Sequence, residues 1–127
     1  MAIDLDNFKR LNDAHGHAAG DLLLVEVGRR LRSCVREVDT VARTGGDEFV
    51  VVIGELGTES AAAALQAGFV AEKVRASLSA PYLLVSGEEG RSEPRIEHRC
   101  TVSIGVALFV DHATTPDDVL KIGRAHV

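Results

Sequence analysis

Arg43-Thr44-Gly45-Gly46-Asp47-Glu48-Phe49 runs directly into Val50-Val51-Val52-Ile53. Two glycines and two acids interrupt residues that otherwise read as strand, with Val41-Ala42-Arg43 leading in and 49–53 leading out. A Gly-Gly pair between β-type runs predicts a hairpin, because a tight turn needs positive φ at its central positions. The carboxylates of Asp47 and Glu48 then sit at the turn, with water near and the sheet behind. Carboxylates held at a rigid sheet edge suit a hard divalent cation. A solvated hairpin tip is the plainer alternative, and the first segment of the chain decides between them.

The chain has 127 residues, enough for one domain with one core. Aromatic residues make up only 4%, so that core must rest on Leu, Val, Ile and Ala. The net charge is −5, and no Lys/Arg cluster is dense enough for a nucleic acid or an anionic membrane. A divalent cation can still bring a nucleotide to a negative chain. Cys34 and Cys100 have apolar neighbours and no metal-type spacing, as free buried thiols of a reducing compartment do. No apolar run approaches about 18 residues and no signal peptide is present, so the domain reads as cytoplasmic and without membrane contact, although a full protein could be anchored.

Taken in order, Ile3 and Leu5 alternate with Asp4 as on a strand whose end meets solvent. Asp6 can cap a short helix over 7–14 with Phe8 and Leu11 on one side. Residues 15–20 read as a loop. A long amphipathic helix over 21–35 carries the stripe Leu24, Val27, Leu31 and Val35. After the hairpin, 55–58 is a turn and 59–78 an Ala-rich helix with the stripe Ala63, Ala67, Val70, Val74 and Leu78. Leu65 and Phe69 fall on its other side. Pro81 ends that helix, 82–85 is a strand, and 87–94 is a polar loop. A last strand over 99–109 alternates Val102, Ile104, Val106 and Leu108 with small residues, against which a helix should pack. A helix begins near Thr115. Residues 122–127 fit no continuation of it and read as a non-native tail, since a common sequencing adapter encodes that hexapeptide in one frame. The order predicts an α+β fold with a mostly antiparallel sheet covered by helices. No P-loop and no Gly-x-Gly-x-x-Gly after a strand occurs.

The segment from Asp4 to Asp21 is dense in useful polar groups: Asp4, Asp6, Asn7, Lys9, Asn12, His17 and Asp21. Singly, each has a structural explanation as a cap, loop former or solvated helix residue. Together they spell Asp-x-Asp-x-Phe-Lys-x-x-Asn-Asp-x-x-Gly-His-x-x-Gly-Asp, ahead of Gly-Gly-Asp-Glu-Phe and Thr-Val-Ser-Ile-Gly-Val-Ala from Thr101. Over 1–121 the chain resembles the diguanylate cyclase family, the GGDEF domains. That resemblance implies a nucleotidyl-cyclase-like fold with a ferredoxin-like βααββαβ core. It also implies condensation of two GTP into cyclic di-GMP, with release of pyrophosphate.

By the resemblance, Asp4, Asp47 and the Leu5 carbonyl hold the metal, two Mg²⁺ with Mn²⁺ as the alternative. Asp47 is the family's proton acceptor, and Glu48 is a second metal or base candidate. Metal ions would serve as Lewis acid and as clamp on the attacking and leaving oxygens. Gly45 and Gly46 let the triphosphate approach the hairpin backbone. Amides of Asn7, Phe8 and Lys9 cradle the phosphates at a helix start, and the Lys9 charge stabilises the transition state. Asn12 and Asp21 match the guanine readers, which would reject adenine by leaving polar groups unpaired. His17 matches a further substrate contact. Arg36 and Asp39 stand at the spacing of the family's inhibitory product site, Arg-x-x-Asp.

The family's opening segment and closing helix have no counterpart here, so this chain is expected to lack some phosphate contacts. Each domain of the family holds one GTP. Catalysis therefore implies a homodimer across a shared site, with an upstream sensory domain in the full protein. The rival is a silent module that binds cyclic di-GMP or GTP as a sensor. Intact Asp4, Lys9, Asn12, Asp21 and Asp47 favour the enzyme. Asn12 and Asp21 disfavour an adenine-specific cyclase.

Overall fold

The computed structural model describes residues 1–54, 59–85 and 96–108. Strand β1 (Ala2–Leu5) is followed by helices α1 (Phe8–His15) and α2 (His17–Cys34). The hairpin β2 (Thr40–Gly45) and β3 (Glu48–Val52) comes next, then α3 (Ser60–Ser79), β4 (Tyr82–Leu84), β5 (Ile96–His98) and β6 (Val102–Gly105). β2, β3, β1 and β6 form one antiparallel sheet in that order, and β4 pairs with β5 in a second. This is the expected α+β arrangement, with α2 packed on α1, α3 and β2.

Register follows from burial. Ile3 and Leu5 of β1 are buried on the helix side, whereas Ala2 and Asp4 are exposed on the other. Ile3 lies opposite Phe49 of β3 and Ile104 of β6, so the apolar face is continuous across three strands. A slip of one residue would turn Asp4 inward, at the cost of burying an unpaired carboxylate. From α2, Leu23, Val27 and Leu31 close on this face, joined by Val74 and Leu78 of α3.

Several sequence expectations need correction. Residues 15–20 are not a loop: α1 runs to His15 and α2 starts at His17, with Gly16 alone between them at φ 86°. Asp21 therefore lies inside a helix. Val35 is only half-buried and ends α2 in extended backbone, and its place in the stripe goes to Leu23 and Cys34. Asp6 does not cap α1. The cap position is Asn7, in the left-handed region at φ 66°, a conformation Asn tolerates better than most residues. Of the two hairpin glycines only Gly46 has positive φ, 36°, while Gly45 stays in β2 opposite Glu48 after a bulge at Thr44. The last strand is only four residues long, and Val106 and Leu108 are exposed beyond it. Ser103 and Gly105, expected under a helix, are exposed among the described residues. β5 was not expected. Leu65 and Phe69 are exposed on α3. Cys34 and Cys100 are free and buried, as read. The turn expected at 55–58, the polar loop at 87–94, the helix near Thr115 and the tail 122–127 lie outside the described residues.

Arg30 anchors the far end of α3. Its guanidinium donates to the carbonyls of Ser77 (2.8 Å), Ala80 (2.9 Å) and Pro81 (2.7 Å), and lies 3.7 Å from the Tyr82 ring centroid. The last carbonyls of a helix lack intrahelical partners, so one planar cation serves several of them at once. Beneath it, Tyr82 is fully buried and its hydroxyl donates to Leu78 O at 2.7 Å.

Arg30→Ala should lower stability by about 3 kcal/mol, because it strips three carbonyls and a ring of their partner. Tyr82→Phe should cost about 1–2 kcal/mol by leaving the Leu78 carbonyl without its hydroxyl donor. Denaturant unfolding checks both. Burial pushes the Tyr82 phenol above its ordinary value of 10.0. Its contribution to stability is therefore whole below that value and is lost as pH rises toward the folded-state value. Tyr82 is the sole tyrosine and there is no tryptophan, so tyrosinate absorbance reads this group alone. It should appear only as the chain unfolds.

Candidate active site

Strand pairing brings the acidic residues together. Asp4, next to the end of β1, lies directly opposite Glu48, the first residue of β3. The Leu5 amide donates to the Asp47 carbonyl at 3.2 Å, which ties the hairpin turn to the end of β1. Two segments more than forty positions apart thus meet at one sheet edge, with Ser103 of β6 opposite Asp4 on the other side. Asp4, Glu48, Ser103 and Gly105 line a shallow cavity of about 290 Å³. Arg43 Nε holds the turn from behind through Gly46 O, at 2.9 Å.

Burial, and then the charges of Asp47, Glu48 and Asp6, push the Asp4 carboxyl above its ordinary value of 3.8. Among the described residues, no Lys or Arg pairs with Asp4, Asp47 or Glu48. Crowded, unpaired carboxylate oxygens are the donors that a hard divalent cation takes. No group of three or more His, Cys, Asp or Glu side chains is arranged around a metal position among the described residues. The donor chemistry fits a metal, while the backbone supplies the meeting point.

The chain then turns through Asp6 and Asn7 into α1. Asp6 is held from β6: its carboxylate accepts from Thr101 Oγ1 (2.7 Å) and Ser103 Oγ (3.1 Å), and its amide donates to Thr101 O (3.0 Å). Asp6 is thereby committed to fixing the turn between Asp4 and α1. The amides of Phe8 and Lys9 open α1, which has no acidic residue in its first turn to compete for an anion. Phe8 is half-buried against the core, and Lys9 is exposed.

Asn12 of α1 faces α2. Its Oδ1 is buried and takes no hydrogen bond among the described residues. Gly20 lies against it, and Asp21, exposed, follows. The one-residue break at Gly16 folds α1 and α2 back on each other and brings Asn12 beside Gly20. His17 is exposed at the start of α2. Gly45 and Gly46 have open space where a β-carbon would stand, so packing does not demand glycine there.

Arg36 and Asp39 form a separate group. Asp39 is 4% exposed and its carboxylate accepts from the Arg36 amide (2.8 Å), the Gly54 amide (3.2 Å) and the Arg36 guanidinium (3.3 Å). Arg36 also donates to Gly54 O. Burial alone would raise the Asp39 carboxyl, but these donors hold it below 3.8. Asp39 thus ties the end of α2 to the end of β3, while the Arg36 side chain stays 46% exposed. Sequence reasoning missed Gly20, Thr101 and Ser103. Reading 15–20 as a loop hid the signal for the first, since only a glycine inside a helix, where it costs about 1 kcal/mol relative to alanine, calls for a reason. The two hydroxyls alternate along one strand face and gave no comparable sign.

The model of the family described as diguanylate cyclase, GGDEF domain, matches residues 1–126. Diguanylate cyclase TpbB of Pseudomonas aeruginosa is 42% identical over 120 residues, 94% of this chain and 25% of that protein. The solved GGDEF domain of the same Pseudomonas aeruginosa protein superposes with a TM-score of 0.73 at 39% identity, covering 94% of this chain and 66% of that one. The GGDEF domain of DgcB from Caulobacter crescentus, solved in complex with c-di-GMP, gives a TM-score of 0.60 at 25% identity, over 80% of this chain and 53% of that one. The chain spans between 13% and 28% of the length of the curated relatives it matches. A match over nearly every residue, together with the nucleotidyl-cyclase-like α+β fold, means that this chain belongs to the diguanylate cyclase GGDEF-domain family.

Proposed function

We propose that this domain synthesises cyclic di-GMP from two GTP, releasing pyrophosphate. The observation that carries the proposal is the register of β1 on β3, which sets Asp4 against Glu48 and the Asp47 turn beside Leu5. Asp4, Asp47, Glu48 and the Leu5 carbonyl are the groups that would hold the metal, Mg²⁺ or Mn²⁺, two ions per site. When bound, such ions screen the triphosphate and acidify a ribose hydroxyl.

The chain's own groups supply the rest. Amides of Asn7, Phe8 and Lys9 bind phosphate oxygens at the start of α1. The Lys9 ammonium, exposed in the first turn of α1, supplies positive charge that favours the more highly charged transition state. Asp47 takes the proton from the attacking 3′-hydroxyl, with Glu48 beside it. Gly45 and Gly46 leave the hairpin backbone open to the triphosphate. Asn12 and Asp21 read guanine, and His17 touches the same nucleotide. A carboxylate accepts two guanine N–H groups together and offers adenine only repulsion of its ring nitrogen. One domain holds one GTP, so two domains meet antiparallel, under an upstream sensory domain in the full protein. The DgcB complex supports a product-binding role for the fold. Arg36, half-exposed, is the group left to receive the product at an inhibitory site, with Asp39 holding it in position.

Incubation of the full-length protein with GTP and Mg²⁺, followed by chromatography, should yield cyclic di-GMP. Asp47→Ala should reduce the rate by about 10³ or more. Product binding with no turnover in the parent would instead identify a sensor.

Removing a charge from the crowded edge gives a second test. Asp4 has a raised folded-state value, so its stabilising contribution is present below 3.8 and is lost as pH rises through that folded value. At neutral pH, Asp4→Asn should raise the melting temperature of the metal-free chain and abolish its increase on adding Mg²⁺.

Arg36→Ala should leave turnover intact and relieve inhibition by added cyclic di-GMP, at a stability cost of about 1 kcal/mol or less. Asp39→Ala should cost about 2–3 kcal/mol, because two amides lose a buried acceptor. Titrations with product and urea melts separate the two roles.

A further inference from the structure

Two glycines sit inside α2 and only one of them has a neighbour. A β-carbon at Gly28 would meet open space, whereas one at Gly20 would overlap Asn12 Oδ1, with Asn12 Cγ at 3.0 Å and Phe8 Cζ at 3.3 Å. Glycine is a poor helix residue, so its presence at position 20 calls for a steric reason. The Asn12 Oδ1 atom is buried and makes no hydrogen bond among the described residues, so space, not a bond, holds it there. The carbonyl and amide ends of asparagine have the same shape, so either end needs that gap.

We infer that Gly20 is a specificity-determining position. The missing side chain lets the Asn12 amide lie flat on α2, beside Asp21, where the two can address one base together. A methyl group there would not break the helix, because Oδ1 is the far end of a rotatable side chain. It would turn the amide away and leave Asp21 to read guanine alone. The inference rests on the guanine-reading role proposed above for Asn12 and Asp21.

The test is calorimetric binding of GTP and ATP with Mg²⁺, plus melting temperature, for the parent chain and four variants. These are Gly20→Ala, Gly28→Ala, Asn12→Ala and the double variant Gly20→Ala/Asn12→Ala. Gly20→Ala should bind GTP roughly tenfold more weakly and lose a similar factor in preference over ATP, the size of one lost hydrogen bond. Gly28→Ala should bind as the parent does. The double variant should bind no worse than Asn12→Ala, and in the Asn12→Ala background the alanine at 20 should cost clearly less melting temperature than in the parent, since only Phe8 Cζ, at 3.3 Å, is then close. If Gly20→Ala alone fails to fold, recovery of folding in the double variant still supports the steric link, and no recovery overturns it. Unchanged GTP binding in Gly20→Ala, with weakened binding in Asn12→Ala, overturns this inference and leaves the functional reading standing. Unchanged binding in Asn12→Ala, or no GTP binding by the parent, overturns the functional reading and this inference with it.

Discussion

Everything at the sheet edge depends on one antiparallel pairing, β1 against β3 with Asp4 facing Glu48. The pairing is enforced from the opposite face. Ile3 and Leu5 have to enter the core with Phe49 and Val51, and strand periodicity then turns Asp4 and Glu48 outward. Core burial and site assembly are thus one event seen from two sides of the same strands. Burial of Asp4, and then the crowding of carboxylates around it, cost stability, in keeping with the raised Asp4 value. A divalent cation bound at this edge would offset that cost.

The same economy governs the path out of β1. Within a few residues the chain passes from strand to helix and back along a second helix, through Asn7 at φ 66° and Gly16 at φ 86°. Those two residues take up the strain that a sharp change of direction requires. Asp6 steadies the first bend from β6 through two hydroxyls, and Gly20 gives the second helix room to lie against Asn12. The two helices thereby pack back on each other without a long loop.

Two arginines illustrate how similar sequence signals part ways in three dimensions. Arg30 and Arg36 both lie near the end of α2, among charged neighbours. Arg30 is drawn in to satisfy the last carbonyls of α3 and cover Tyr82. Arg36 is shared between Asp39, a carbonyl and solvent. Asp39 itself is internal, which gives the Arg-x-x-Asp pair a structural part to play besides any ligand.

Residue patterns along the chain were enough for the element order apart from β5, for the hairpin, for most of the apolar stripes of α2 and α3, and for naming the acidic and guanine-reading candidates. The elements are local readings, from periodicity and a glycine pair, whereas the roles of the candidates are what the family resemblance implies. The tertiary structure alone decided which of them meet. Strand order β2-β3-β1-β6 joins Asp4 to Glu48, and the single-residue break at Gly16 joins Asn12 to Gly20. It also reassigned Asp6 from helix cap to partner of Thr101 and Ser103, and revealed β5. The spacing of residues along a chain does not encode which hydrogen-bond partner lies nearest after folding. Asp6 could have served as a cap by its residue type, but its carboxylate goes to partners about a hundred positions away because β6 lies directly alongside β1.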